Sequence, residues 1–287
     1  MLVTAVRVLV EGVCFRDCLM DGVEVSLGDD SEDGLLSGFF ETQSMMLGAY
    51  EQRFMASAHR VIKCGGARGP LSAFAWGDGE AVLLVHGLGG RGVQLRAFVE
   101  PLVRRGFMPV LFDLPGHGSR EQVRTDFDEC ADAIAMVALA CGRVAAAITH
   151  SLGALWFLVA NRHHALCERL VTLGAPASLV AHVERHLTAQ RADAPARAAL
   201  YAGLERRFGA GVWTEYSPDA LLCRSIDDLL VVHDREDRVV PFEDALALVK
   251  RTRSASLLAT SGLGHIGLVA NLGVVGRACE FVAGEKH

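Results

Sequence analysis

The sequence predicts an α/β protein with a mostly parallel sheet covered by helices on both faces. Three observations lead there. Short segments such as Ala81–His86, Pro109–Phe112, Val144–Ile148 and Leu229–His233 are apolar throughout instead of alternating, the mark of strands buried on both sides. Segments of helical periodicity separate them. Gly-rich or charged turns follow several of the strands, where α/β folds carry their sites.

The elements follow in order. Thr4–Val10 and Val23–Leu27 alternate loosely, as short strands do, and Asp29–Asp33 is an acidic turn. Leu35–Phe54 carries Leu36, Phe39, Phe40, Met45, Met46, Tyr50 and Phe54 at roughly helical spacing, which suits packing onto another element. Val61–Lys63 and Leu71–Trp76 read as a strand pair joined by the turn Gly65–Pro70. After the strand Ala81–His86 come a helix over Gln94–Arg105, the strand Pro109–Phe112 and an amphipathic helix over Asp126–Cys141. The strand Val144–Ile148, the helix Leu152–Arg162 and the strand Leu170–Leu173 continue the alternation. It then lapses. Residues 177–226 hold helical stretches near Val180–Ala189 and Ala196–Phe208 but no strong strand, and Pro195 suits the start of the second. Leu229–His233, Phe242–Arg251, Ser256–Ala259 and Leu268–Val282 resume the strand–helix pattern. The chain thus divides into an N-terminal extension (1–55), a core (56–176 and 227–287) and a helical insertion (177–226).

Composition excludes several classes. The 287 residues are half apolar and carry a net charge of −6. The cations are scattered and nearly all Arg, with Lys only at 63, 250 and 286, so no basic surface for nucleic acid is evident. Eight cysteines, at 14, 18, 64, 130, 141, 167, 223 and 279, fall mostly in apolar stretches, and a chain of this length needs no disulfide staples. Met1–Val13 lacks the form of a signal peptide, and the expected location is cytoplasmic. Val144–Ala160 has no formal charge, but it is short for a bilayer and holds Thr149, His150 and Ser151 at its middle, so no membrane span is expected. Cys14 and Cys18 have no nearby His or second Cys pair, and His163 and His164 have no further ligands; no metal site is expected.

Gly87-Leu88-Gly89-Gly90-Arg91-Gly92 fits the G-x-G-x-x-G pattern after a strand, and Asp113 ends the next strand, so NAD binding is one reading. His86, where a small apolar residue belongs, and the tight turn Leu114–Gly118 after Asp113 weaken it.

Thr149-His150-Ser151-Leu152-Gly153 offers another reading. It joins an apolar strand to an apolar helix, the position of a nucleophile elbow. The sharp turn needs small residues two places either side of the serine; Gly153 meets the need, and the β-branched Thr149 departs from it. A serine hydroxyl needs a base, usually His oriented by a carboxylate, and in this fold the order is Ser, acid, His. The loop after Leu229–His233 offers Asp237, first choice for the acid, and Asp234, second. Gly262-Leu263-Gly264-His265 places His265 after the last strand. The glycines at 87–92 then acquire a different task. An oxyanion needs two backbone N–H donors, and these are Leu88 and Leu152.

With these residues the chain resembles the α/β-hydrolase superfamily over about Val61 to Val282. The resemblance rests on His86-Gly87-Leu88-Gly89-Gly90, Asp113-Leu114-Pro115-Gly116-His117-Gly118, Thr149–Gly153, Asp237-Arg238-Val239-Val240-Pro241 and Gly264-His265. It implies a mostly parallel eight-stranded sheet, a Ser-His-Asp hydrolase without a cofactor, and a lid formed by residues 177–226. Ser119-Arg120 and Thr149 depart from the common pattern, and residues 1–55 lie outside it.

The expected reaction is cleavage of an ester or thioester, with Ser151 attacking, His265 moving the proton and Asp237 orienting His265. Leu179, Val180, Leu187, Leu200, Leu204, Phe208 and Trp213 suggest a pocket for an apolar acyl or aryl group; the arginines at 185, 191, 197, 206 and 207 suit a solvated helix face better than an anion site. The rivals are carbon–carbon bond hydrolysis or acyl transfer on the same triad, and a catalytically idle binding or scaffold protein. His86 and His117 are expected to hydrogen-bond loops, and His150 to be structural. Residues 1–55 are expected to add strands to the sheet edge, pair two copies into a homodimer or shield the site.

Overall fold

The computed structural model describes residues 4–7, 34–42, 44, 46–65, 69–118, 124–222, 226–252 and 254–285. The expected strand at Val23–Leu27, the turn at Asp29–Asp33, Cys14, Cys18 and Ser119-Arg120 lie outside the described residues.

Nine strands form one sheet in the order β1-β2-β3-β5-β4-β6-β7-β8-β9. β1 (Thr4–Arg7) lies at the edge, parallel to β2 (Arg60–Cys64). β3 (Leu71–Ala75) is antiparallel to both β2 and β5 (Met108–Phe112). The rest is parallel: β4 (Ala81–Val85), β5, β6 (Val144–His150), β7 (Arg169–Leu173), β8 (Asp228–Asp234) and β9 (Ala255–Thr260). Strands β2–β9 are the eight that the family pattern implies, and β1 is a ninth.

The strand period of two distributes one apolar run to two cores. In β4, Ala81, Leu83 and Val85 pack on one face, and Val82 and Leu84 on the other. The first face is covered by α4 (Phe127–Cys141), α5 (Gly153–His164) and the segment between β7 and β8; the second by a 3-10 turn over Gly92–Phe98, α3 (Val99–Arg104) and α12 (Leu272–Ala283). The uncharged run Val144–Ala160 is accounted for by β6 and α5, and among the described residues no helix is long and apolar enough to cross a membrane.

The β7–β8 segment folds as α6 (Leu179–Ala189), α7 (Ala194–Phe208), α8 (Val212–Glu215) and α9 (Pro218–Leu222). Ser178 and Asp193 cap the first two by accepting N–H bonds from Ala181 and Ala196. α10 (Phe242–Arg251) and the short α11 (Gly264–Gly267) follow β8 and β9.

Three expected helices differ. Gln94–Arg105 is a 3-10 helix up to Phe98 and only then the α-helix α3. Leu35–Phe54 is not one helix but two, α1 (Gly34–Phe39) and α2 (Ala49–Ala56). Between them the Phe40 carbonyl accepts the Thr125 N–H, and Glu41 bridges Arg124, so the backbone there bonds to another segment. α2 begins at Ala49 because the Glu51 carboxylate accepts the Gly48 N–H. The last helix starts at Leu272, not Leu268, because the Asn271 side chain accepts the N–H groups of Gly273 and Val274.

Candidate active site

Chain order reverses direction across β4: β5 lies on one side and β6 on the other. Ligand sites of open α/β sheets form at such a crevice, beyond the carboxyl ends of the strands. Ser151 stands there, between β6 and α5, with φ 53°, the strained left-handed conformation of a sharp turn. Its N–H donates to the Leu173 carbonyl at 2.9 Å. Gly153 is required: a Cβ there would lie 2.3 Å from the His86 carbonyl oxygen. Thr149 fits because its Oγ1 donates to the Val171 carbonyl at 3.2 Å, satisfying the buried hydroxyl within the sheet.

The loops after β8 and β9 bring Asp237 and His265 together, with Asp237 Oδ2 2.7 Å from His265 Nδ1. Oδ1 accepts the N–H groups of Val239 and Val240 at 2.8 and 2.9 Å. Burial works against the ionised carboxyl, but the His265 bond and the two N–H donors outweigh it and hold Asp237 below the usual carboxylate range. Asp234 is engaged differently. It accepts from Thr260 Oγ1 (2.7 Å), Leu263 N–H (3.0 Å) and Glu236 N–H (3.0 Å), tying the end of β8 to β9 and to the loop that carries His265. Of the two carboxylates, only Asp237 bonds the His265 ring.

The loop after β4 presses against the serine. A Cβ on Gly87 would lie 2.7 Å from Ser151 Cβ, and Gly89 has φ 68°. The N–H groups of Leu88 and Leu152 make no hydrogen bond among the described residues, and both residues line the cavity that holds Ser151 and His265. His86 fixes the loop from below. Its Nε2 accepts the Leu114 N–H at 3.0 Å, so its Nδ1–H donates to the Gly87 carbonyl at 2.8 Å. Burial pushes His86 down to about 4 and keeps that tautomer neutral. Asp113, the residue a dinucleotide reading would place on a ribose, accepts the Gly92 N–H at 2.8 Å, so it braces the same loop.

Three contributors escaped the sequence reading. Gly174, after β7, has φ 59°, and a Cβ there would come 3.1 Å from His265 Nδ1 and 3.2 Å from Asp237 Oδ2. Arg91 pairs with Glu51 at 3.0 Å and donates to the Met46 carbonyl at 2.9 Å, clamping the glycine loop to the N-terminal segment. The third is the cavity face of α6.

The cavity, about 850 Å³, is walled by the glycine loop, the Ser151 turn, Val239, Ile266 and one face of α6: His182, Arg185, His186 and Ala189. None of the seven apolar residues expected to form the pocket lines it. Leu179, Leu187, Leu200 and Leu204 are buried in the core beneath the helices, and Phe208 and Trp213 pack against that core. The spacing explains the difference: 179, 183 and 187 form the buried stripe of α6, whereas 182, 185, 186 and 189 form another face. Among the described residues no group of three or more His, Cys, Asp or Glu side chains is placed to hold a metal.

The family model described as alpha/beta hydrolase family matches residues 82–277. No curated relative matches the sequence. Solved structures with the same fold include an esterase of Pyrococcus furiosus, 15% identical, covering 85% of this chain and 97% of that one with a TM-score of 0.63. Another is the protein Rv0554 of Mycobacterium tuberculosis, at 17% identity, 78% and 100% coverage and a TM-score of 0.59. A third, the meta-cleavage product hydrolase of Pseudomonas fluorescens, is 18% identical, with 78% and 96% coverage and a TM-score of 0.55. The family match spans the glycine loop, the Ser151 turn, Asp237 and His265, and the chain belongs to the alpha/beta hydrolase family.

Proposed function

We propose that the protein is a serine hydrolase that cleaves a carboxylic ester or thioester through an acyl-enzyme on Ser151. The observation that carries this reading is the 2.7 Å bond between Asp237 and His265, with the same imidazole and Ser151 lining one cavity. Asp237 accepts from Nδ1–H, which leaves Nε2 of His265 to act as the base. Ser151 Oγ attacks the acyl carbon as His265 takes its proton. The carbonyl oxygen becomes an oxyanion at the N–H groups of Leu88 and Leu152. Collapse expels the alcohol or thiol, which receives the proton from His265. Water, deprotonated by the same imidazole, then attacks the acyl-enzyme; the acyl–Oγ bond breaks, His265 returns the proton to Ser151 Oγ, and the acid leaves.

In this reading residues 177–226 act as the lid: α6 forms one wall of the cavity, and α7 carries the Leu200 and Leu204 packing that holds it. The extension braces that lid, since the Phe39 ring packs at a tilt against His182 and edge-on against His186, with ring centres 5.3 and 5.1 Å apart.

The test is a series of 4-nitrophenyl esters from acetate to octanoate, followed by nitrophenolate release. Wild type is expected to turn over with an optimum chain length, and Ser151→Ala to fall to background. Equal rates for the two proteins would refute the assignment.

A further inference from the structure

The charges around the cavity do not cancel. Three charged residues line it: Glu184, Arg185 and Arg238. Glu184 is matched by Arg197 and by Tyr201, whose hydroxyl donates to it at 2.6 Å. Arg185 gives Nη1 to Asp244 at 2.8 Å, while its buried Nη2 has no acceptor. Next to it on α6, buried His186 Nε2 also has no partner. Arg238, on the loop that carries Asp237, has no ion pair among the described residues and is exposed at the cavity rim. The cavity therefore has one uncompensated guanidinium at its rim, and two of its lining residues, Arg185 and His186, each keep a buried polar atom without a partner. A buried guanidinium N–H left without an acceptor is destabilising, and an oxyanion ligand is the group that both accepts from such a donor and balances the free guanidinium.

We propose that the substrate carries a carboxylate, remote from the scissile bond, that is held between Arg238 and the Arg185–His186 edge of α6. This inference rests on the hydrolase reading above and names its substrate class. Six of the seven side chains expected to make an apolar pocket pack in or against the core and Val180 is exposed, so α6 turns His182, Arg185 and His186 to a cavity whose other walls include the apolar Leu88, Leu152, Val239 and Ile266.

Two pairs of matched esters test it on the full chain. 4-Nitrophenyl hydrogen glutarate against 4-nitrophenyl pentanoate places the charge on the acyl side. 4-Acetoxybenzoate against 4-acetoxybenzamide places it on the leaving group. In one of the pairs kcat/KM is expected to favour the charged member by roughly tenfold, the scale of one charge-assisted hydrogen bond. High salt is expected to weaken that preference. Arg238→Gln is expected to abolish most of it, and Arg238→Lys to retain part. Arg185→Gln, checked for folding by circular dichroism, is expected to lower it as well. A preference below about threefold in both pairs, or one that survives both glutamine substitutions, overturns the inference. Titration of Ser151→Ala with the same esters reads the charge preference without turnover. A wild type that binds the charged ester selectively but cleaves neither would fail the hydrolase reading while sustaining this one.

Discussion

The imidazole of His150 lies against that of His265, ring centres 4.7 Å apart, and its Nε2 lies 3.2 Å from the His265 carbonyl oxygen. A carbonyl only accepts, so His150 donates and is the Nε2–H tautomer. The residue beside the proposed nucleophile thus fixes the backbone of the proposed base, 115 positions later.

His150→Ala should therefore impair the reaction through placement of His265. An expected loss in kcat is about tenfold or more, the scale of a small misplacement of a reacting group. His150→Gln, whose amide can donate to the same carbonyl, should recover part of it. Steady-state rates of the three proteins check this; an unchanged kcat in His150→Ala would show that the contact does not position the base.

Asp237 and Asp234 should separate chemistry from stability. Asp237→Asn is expected to lower kcat by about 10³–10⁴, as loss of the orienting carboxylate does in serine hydrolases. Asp234→Asn should leave kcat per folded molecule within about tenfold and instead lower the melting temperature, because it weakens three bonds at the tip of β8. Kinetics combined with thermal unfolding decide the matter; the opposite pattern would make Asp234 the triad acid.

Gly174→Ala should combine two penalties. Its φ of 59° strains any other residue by about 1 kcal/mol or more. The new methyl would also press on His265 Nδ1 and Asp237 Oδ2. Activity is expected to fall more than stability does, measured as kcat against the urea midpoint. A fully active variant would contradict the close packing of that pair.

Acid should destabilise the fold well above the carboxylate range. Buried His86, His117 and His150 are pushed down to about 4, 3 and 3, each chiefly by burial. In the unfolded chain such groups titrate near about 6.5. Their stabilisation is therefore complete above that pH and is lost as pH falls towards the folded values, since the unfolded state takes up the protons. Each group contributes up to about 1.4 kcal/mol per pH unit in that window. Urea unfolding between about pH 7 and pH 5 should show the midpoint falling; a flat profile would mean that these imidazoles take up protons in the native state as readily as in the unfolded chain.

Much of this was legible in the sequence because the signals are local. The buried runs of β4, β6 and β8 stand out by composition, and Ser151, His265 and the glycine loop sit where strands end. Asp237 and Asp234 could not be ranked firmly, because the choice depends on which carboxylate meets the His265 ring, a contact across 28 residues. Gly174 was missed because its neighbours in space come from two other loops. The cavity-lining face of α6 is hidden in the sequence for another reason. Leu179 and Leu187 are conspicuous by type, but helical spacing puts them on the packing side and leaves His182, Arg185 and His186 facing the cavity. The break between α1 and α2 depends on a bond from Thr125 to Phe40, which no local pattern announces.

The most direct test of the central claim is covalent. The folded protein is incubated with a fluorophosphonate, and the adduct is located by peptide mass spectrometry. The account predicts a single stoichiometric adduct on Ser151, absent from Ser151→Ala and slowed in His265→Ala. An unlabelled wild type, or an adduct that persists in Ser151→Ala, would contradict it.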